Sequence, residues 1–169
     1  MSTFEKALAF TLRWEGGYSN HPADPGGATN YGVTQRVYDH FREISGLPRR
    51  SVRAIESHEV REIYRQHYWE RVMAHLLPEP LAIACFDWAV NAGPRRAIEH
   101  LQECLGVSVD GIIGPRTMAA MKTAGMETLW CFIQRREEFY RRIGRGSKNV
   151  FLKGWLNRLN DLKNYLGVI

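Results

Sequence analysis

Residues 2–34 read STFEKALAFTLRWEGGYSNHPADPGGATNYGVT, and the fold is decided by how this stretch divides. Ser2 and Glu5 stand at the S-x-x-E spacing of a capping box, in which each side chain takes a backbone N–H that the first helical turn leaves open. Phe4, Ala7, Leu8, Thr11 and Leu12 then recur at helical spacing, which predicts an amphipathic helix ending at Glu15. Gly16-Gly17 supplies its C-terminal cap. From Gly16 to Val33 the composition changes to glycine, proline, asparagine and aspartate, which predicts a long irregular loop or a short twisted hairpin. A long structured loop in a compact domain commonly carries function.

Further along the chain, helical patterns dominate. Thr34 is the expected cap of a second helix ending near Gly46-Leu47-Pro48, and Ser57 the expected cap of a third with Val60, Ile63, Tyr64 and Tyr68 on one face. After Pro78 and Pro80, Leu81, Ala84, Cys85, Trp88 and Ala89 mark a helix to about Ala92 that is apolar nearly all round, hence central and buried. Pro94 suits a first helical position. Ala97, Ile98, Leu101 and Leu105 continue that helix to Gly106. The turn V-D-G-I-I-G-P-R-T (Val109–Thr117) leads into a short helix from Pro115. A longer helix is expected from Met126 to Ile143, and the last carries Phe151, Trp155, Leu159, Leu162 and Leu166 on one face. With no repeat and no sustained strand alternation, the expected fold class is all-α, mainly helical, with one Gly/Pro-rich loop or short hairpin after the first helix.

The totals narrow the function classes. The chain has 169 residues, enough for one domain or two small packed lobes, and no apolar run of bilayer-spanning length. Residues 1–15 carry Glu5, Lys6, Arg13 and Glu15 and lack a secretory signal pattern. The expectation is synthesis in the cytoplasm and, for an outside substrate, release by another route. A net charge of +5 favours anionic partners without choosing among them. Cys85, Cys104 and Cys131 are odd in number and sit in helical apolar patterns, so buried free thiols are expected rather than a disulfide. His58-Glu59 lacks the second histidine of H-E-x-x-H, and no G-x-S-x-G or phosphate loop occurs. No metal and no organic cofactor are expected.

Glu15 is the candidate of greatest interest. A carboxylate at a helix C-terminus faces the negative end of the helix dipole, and Trp14, Tyr18 and Tyr31 are near in sequence, so the local setting works against its charge. A carboxylic acid that keeps its proton is what protonation of a glycosidic oxygen requires. Glycoside hydrolysis commonly adds a second carboxylate across the bond, and Asp24 is in place to be one. Within P-A-D-P-G-G, Asp24 equally suits an Asx-turn. Thr29 can position a water or bond the loop backbone. This set resembles the Glu–Asp–Thr arrangement of phage-type lysozymes, in which the Asp and Thr hold the attacking water.

A wider resemblance covers most of the chain. The run E-G-G-Y-S-N-H-P-A-D-P-G-G-A-T-N-Y-G-V-T (Glu15–Thr34) resembles the signature of glycoside hydrolase family 108, a group of muramidases and endolysins, and so does F-D-W-A-V-N-A-G-P (Phe86–Pro94). Val109–Thr117 resembles the turn of a predicted peptidoglycan-binding module. The resemblance implies a lysozyme-like fold, a catalytic glutamate at Glu15 and a catalytic set of Glu15, Asp24 and Thr29. Sugar contacts are then expected from Tyr18, Asn30, Tyr31, Asp87 and Asn91. Asp87 and Asn91, four apart on one helix face, either anchor the 16–33 loop or line the sugar cleft; Tyr18, Tyr31 and Trp88 either stack on sugars or pack. Asp110 and Arg116 are weaker candidates for peptidoglycan contact, implied only by the likeness of their turn.

The expected organisation is a lysozyme-like catalytic region over 1–93 and a helical peptidoglycan-binding-like region over 94–169, packed as one globule. The expected reaction is hydrolysis of the β-1,4 bond between N-acetylmuramic acid and N-acetylglucosamine, with inversion suggested by a loop carboxylate acting beyond a water. The expected partner is the glycan strand of bacterial peptidoglycan, with no nucleic acid, no stable membrane insertion and a monomeric protein. The resemblance further implies action on the cell wall after holin- or secretion-dependent release. The competing readings are a lytic transglycosylase on the same bond, a non-catalytic peptidoglycan-binding or secretion accessory, and a nucleic-acid binder using Arg135-Arg136 and Arg141-Arg142.

Overall fold

The computed structural model describes residues 1–23 and 26–168. Eight α-helices account for most of the described chain: α1 (Thr3–Glu15), α2 (Gln35–Ile44), α3 (Ser57–Tyr64), α4 (Glu79–Ala92), α5 (Pro94–Leu105), α6 (Pro115–Lys122), α7 (Met126–Ile143) and α8 (Asn149–Leu166). Strand among the described residues is confined to β1 (Thr29–Asn30) and β2 (Val33–Thr34), antiparallel with Asn30 opposite Val33. The all-α reading holds. The helix starts follow local chemistry. The Ser2 hydroxyl accepts from the Glu5 N–H at 3.1 Å, and the Glu5 carboxylate accepts from the Ser2 N–H at 3.4 Å. Thr34 caps α2 by accepting from the Val37 N–H. α3 starts one residue earlier than Ser57 suggested, because Glu56 and Glu59 form the reciprocal capping box and Ser57 becomes its first helical residue.

The chain forms two compact units, residues 8–67 and residues 1–7 with 68–169. α4 belongs to the larger unit, where it shares a core with α5 and α7. In the larger unit, Leu81 to Ala89 of α4 are all buried, as expected of a helix apolar all round. Phe4, Trp69 and Phe86 form an edge-to-face cluster at one end of this core. The unit also buries a charge cluster: Asp87 of α4 is 0% exposed and meets Arg136 of α7 and Arg158 of α8, each at 2.8 Å. Burial pushes the Asp87 carboxyl up, but the two guanidinium groups hold it below its ordinary value.

The three cysteines depart from expectation. Cys104 of α5 and Cys131 of α7 are disulfide-bonded, and only Cys85 is a buried free thiol. Helical spacing placed each cysteine correctly on a packing face, but pairing depends on how α5 and α7 meet, which spacing does not encode.

The smaller unit is organised by Glu59, a buried carboxylate at 1% exposure. It accepts from Tyr38 Oη at 2.7 Å, Arg50 Nη2 at 2.7 Å, Arg42 Nη1 at 3.1 Å and the Glu56 N–H at 3.2 Å. Burial works to raise its pKa, and the four hydrogen bonds together reverse this and bring it to about 2. The network ties α2 and α3 to the intervening segment, since Arg50 lies outside both helices.

Two predictions follow from these two anchors. Folding lowers the Glu59 pKa from 4.5 to about 2, so its contribution is present above pH 4.5 and is lost as the pH falls towards 2. Glu59→Gln should flatten the acid limb of the stability profile in that window and cost about 3–5 kcal/mol at neutral pH by leaving buried arginines unpaired, read by urea titration. Cys131→Ser should lower stability by about 2–4 kcal/mol, and a reducing agent should lower the wild type, but not that variant, by a similar amount.

Candidate active site

Glu15 is the last residue of α1, and the chain leaves the helix through Gly16 at φ +78°, a conformation that glycine adopts without steric cost. The loop then folds back. Ser19 and Thr29 exchange backbone hydrogen bonds at 2.8 and 2.9 Å, and β1 and β2 close a two-residue hairpin over Tyr31-Gly32. Both central residues have positive φ, +50° and +77°, the geometry of a type I′ turn. Glycine suits the second position. Tyrosine at the first carries steric strain of about 1–2 kcal/mol.

Two contacts hold the turn. The Tyr64 hydroxyl of α3 donates to the Tyr31 carbonyl at 2.7 Å. The buried Asn30 amide donates to the carbonyls of Val52 and Arg53 at 3.1 and 3.3 Å. Gly32 lies where three groups converge. A β-carbon there would sit 2.3 Å from the Tyr64 hydroxyl and 3.2 Å from both Cβ and Cγ of Glu15. The bare backbone of Gly32 therefore lets the hairpin close against the Glu15 side chain, which is half-buried.

The other expected residues divide into three groups. Thr29 is half-buried, and its hydroxyl has no hydrogen-bond partner among the described residues, so the side chain remains available although the backbone is paired. Tyr31, which precedes Gly32 in the turn, is 45% exposed, while the Tyr18 ring lies under the Arg53 guanidinium at 4.0 Å. Asp24 lies outside the described residues. A concavity of about 830 Å³ also opens on this unit, lined by Gly26, Thr34, Arg36, Val37, His40 and His67.

Asn30 and Asp87 are buried: the Asn30 amide donates to backbone carbonyls, and Asp87 is 0% exposed between its two arginines. Asn91 is exposed and accepts a short hydrogen bond from Tyr140, so it is not the buried partner of Asp87 that its spacing suggested. Trp88 is 0% exposed, and its indole N–H donates to His100 Nδ1 at 3.0 Å. Asp110 builds its own turn, accepting from the Ile112 N–H and from Gln102, each at 2.9 Å. Those bonds, the backbone one foremost, lower its pKa. Arg116 lines a concavity of about 630 Å³ beside that turn.

Sequence reasoning missed Tyr64, Gln102 and Tyr140 as organisers. Tyr64 and Tyr140 were legible only as apolar-face positions, yet a buried tyrosine hydroxyl calls for a partner. Gln102, 0% exposed, carried no such signal.

A family profile described as "Glycosyl hydrolase 108" matches residues 8–93, and one described as "Predicted Peptidoglycan domain" matches residues 96–160. The solved structure titled "Structure of Brucella abortus SagA" is similar at 35% identity and a TM-score of 0.78, covering 97% of this chain and 93% of that one. No curated protein matches.

The convergence at Gly32 makes a prediction. Gly32→Ala should destabilise the smaller unit by about 1–3 kcal/mol through strain at positive φ. Because the added methyl meets the Tyr64 hydroxyl first, Tyr64→Phe should recover part of that loss, and strict additivity in a double-mutant cycle would contradict the contact.

Proposed function

The chain belongs to glycosyl hydrolase family 108, and from that premise we propose that it hydrolyses the β-1,4 bond between N-acetylmuramic acid and N-acetylglucosamine in bacterial peptidoglycan, the lysozyme-type muramidase reaction. The observation that carries the reading is Glu15 at the end of α1, packed against the Tyr31–Gly32 turn of a strained hairpin. Strained backbone held by its surroundings is a recurrent property of catalytic loops.

In the proposed reaction the Glu15 carboxyl gives its proton to the glycosidic oxygen as the bond from that oxygen to the sugar carbon breaks. Water adds to the carbon and closes the balance, leaving a new reducing end and a hydroxyl on the departing sugar. The Thr29 hydroxyl, without a hydrogen-bond partner among the described residues, is suited to hold that water, with Asp24 accepting its proton. Tyr31, in the turn that packs on Glu15 through Gly32, offers an exposed ring to a sugar face. The positive charge suits an anionic polymer.

The site of action is the cell wall, outside the cytoplasm, reached by holin- or secretion-dependent release. The Cys104–Cys131 disulfide supports this, since such bonds persist in oxidising compartments.

Glu15→Gln keeps the shape and removes the acid. It should melt with the wild type yet release reducing sugar ends from purified walls at least about a hundredfold more slowly, as loss of a general acid typically costs. A variant that clears walls at the wild-type rate would refute the assignment. A wild type that pellets with walls but releases no sugar would make the protein an accessory binder.

A further inference from the structure

The larger unit contains a cavity of about 460 Å³ lined by Asn91, Arg96, Phe139, Tyr140, Lys148 and Trp155 among others. Its polarity is fixed from the core outward. Arg136, buried against Asp87, donates from Nε to the Tyr140 hydroxyl at 3.2 Å. An arginine has no acceptor, so Tyr140 must direct its own proton elsewhere, and it donates to Asn91 Oδ1. With that oxygen occupied, the Asn91 amide nitrogen holds two N–H donors, neither bonded among the described residues. A fixed amide donor at a cavity mouth matches an acyl carbonyl or a carboxylate.

The surroundings add two requirements. Tyr140, Trp155 and Phe151 stack in sequence, with centroids 5.5 and 6.0 Å apart, and the outermost ring, Phe151, is 57% exposed. This ladder offers flat apolar surface beside the donors. Arg96 and Arg142 lie over the Phe139 ring at 4.3 and 5.3 Å, and Arg96 and Lys148 line the cavity wall. None of the three cations pairs with a carboxylate among the described residues, whereas Arg95, Arg135, Arg141 and Lys163 of the same helices all do. Arg96 and Lys148 thus bring positive charge to the cavity wall, with Arg142 close by on the same Phe139 ring.

We propose that the cavity binds the peptide-bearing part of a glycan strand: an N-acylated sugar lies against Trp155 and Phe151, Asn91 donates to its acyl carbonyl, and the carboxylates of the peptide stem meet Arg96, Arg142 and Lys148. Aromatic faces, amide donors and clustered cations together select an acidic N-acyl glycopeptide over a neutral polysaccharide. The ligand rests on the peptidoglycan reading above, but the site needs no cleavage to be observed.

The test uses the full chain carrying Glu15→Gln, so that the polymer is not cut, and measures co-sedimentation with purified walls, either intact or stripped of peptide stems by an amidase. The proposal expects tighter binding to intact walls and a preference that falls as salt rises. Arg96→Ala with Lys148→Ala should weaken binding to intact walls about tenfold, near 1.4 kcal/mol, and leave binding to stripped walls unchanged. Asn91→Leu should weaken both. Tyr140→Phe keeps the ring and loses the proton that orients Asn91; it also removes the acceptor of Arg136 and should lower the melting temperature, so binding is compared at a temperature where every variant is folded, and there, as a positioning change, it should follow Asn91→Leu on both wall types. Charge variants that bind intact walls as before, or that lose equally on both wall types, would overturn the proposal. Failure of the wild type to release sugar would end the hydrolase reading and leave this result standing.

Discussion

The close approach over Gly32 is the constraint on which the candidate site depends. Because that residue has no side chain, the Tyr64 hydroxyl and the aliphatic part of Glu15 occupy the space a β-carbon would fill. The hairpin can then close with Tyr31 in a left-handed conformation that its own sterics oppose. The support continues behind the turn. Asn30 fastens the hairpin to Val52 and Arg53, Gln35 bonds the backbone of Arg50 and Val52, and Arg50 ends on Glu59. The hairpin that packs against the half-buried Glu15 is thereby connected to a buried ionic cluster, the kind of preorganisation that catalysis rewards.

The larger unit uses the same device with a different output. A buried carboxylate between two arginines contributes little net stability once desolvation is counted, and a hydrophobic replacement of similar volume often does as well. Its value here is direction. Asp87 holds Arg136, Arg136 can only donate, and Tyr140 must therefore donate onward to Asn91. Both units thus build a surface group from the inside out, by placing a charge where water cannot compete for its hydrogen bonds.

Helices, their starts and the position of the special loop were legible in the sequence because they follow from local spacing and capping. Glu15 was legible as a candidate because an acid before Gly16-Gly17 faces the negative end of its helix, and its motif resembles a known family. Residues whose meaning depends on a distant partner were not legible. Cys104 and Cys131 face each other only once α5 and α7 pack, and Glu59 acquires its role only when Arg42 and Arg50 arrive from other segments. Spacing puts Asp87 and Asn91 on one helix face, yet one lies sealed among arginines and the other is exposed. Spacing along a helix assigns a face; it does not assign depth or partner.

The most direct measurement of the central claim is mass spectrometry of the fragments the wild-type protein releases from purified peptidoglycan in water enriched with heavy oxygen. Glycan hydrolysis with proton transfer from Glu15 predicts fragments ending in a reducible N-acetylmuramic acid that carries one heavy oxygen from solvent. Fragments ending in an anhydro ring with no solvent oxygen would contradict hydrolysis and assign the same acid to a transglycosylase.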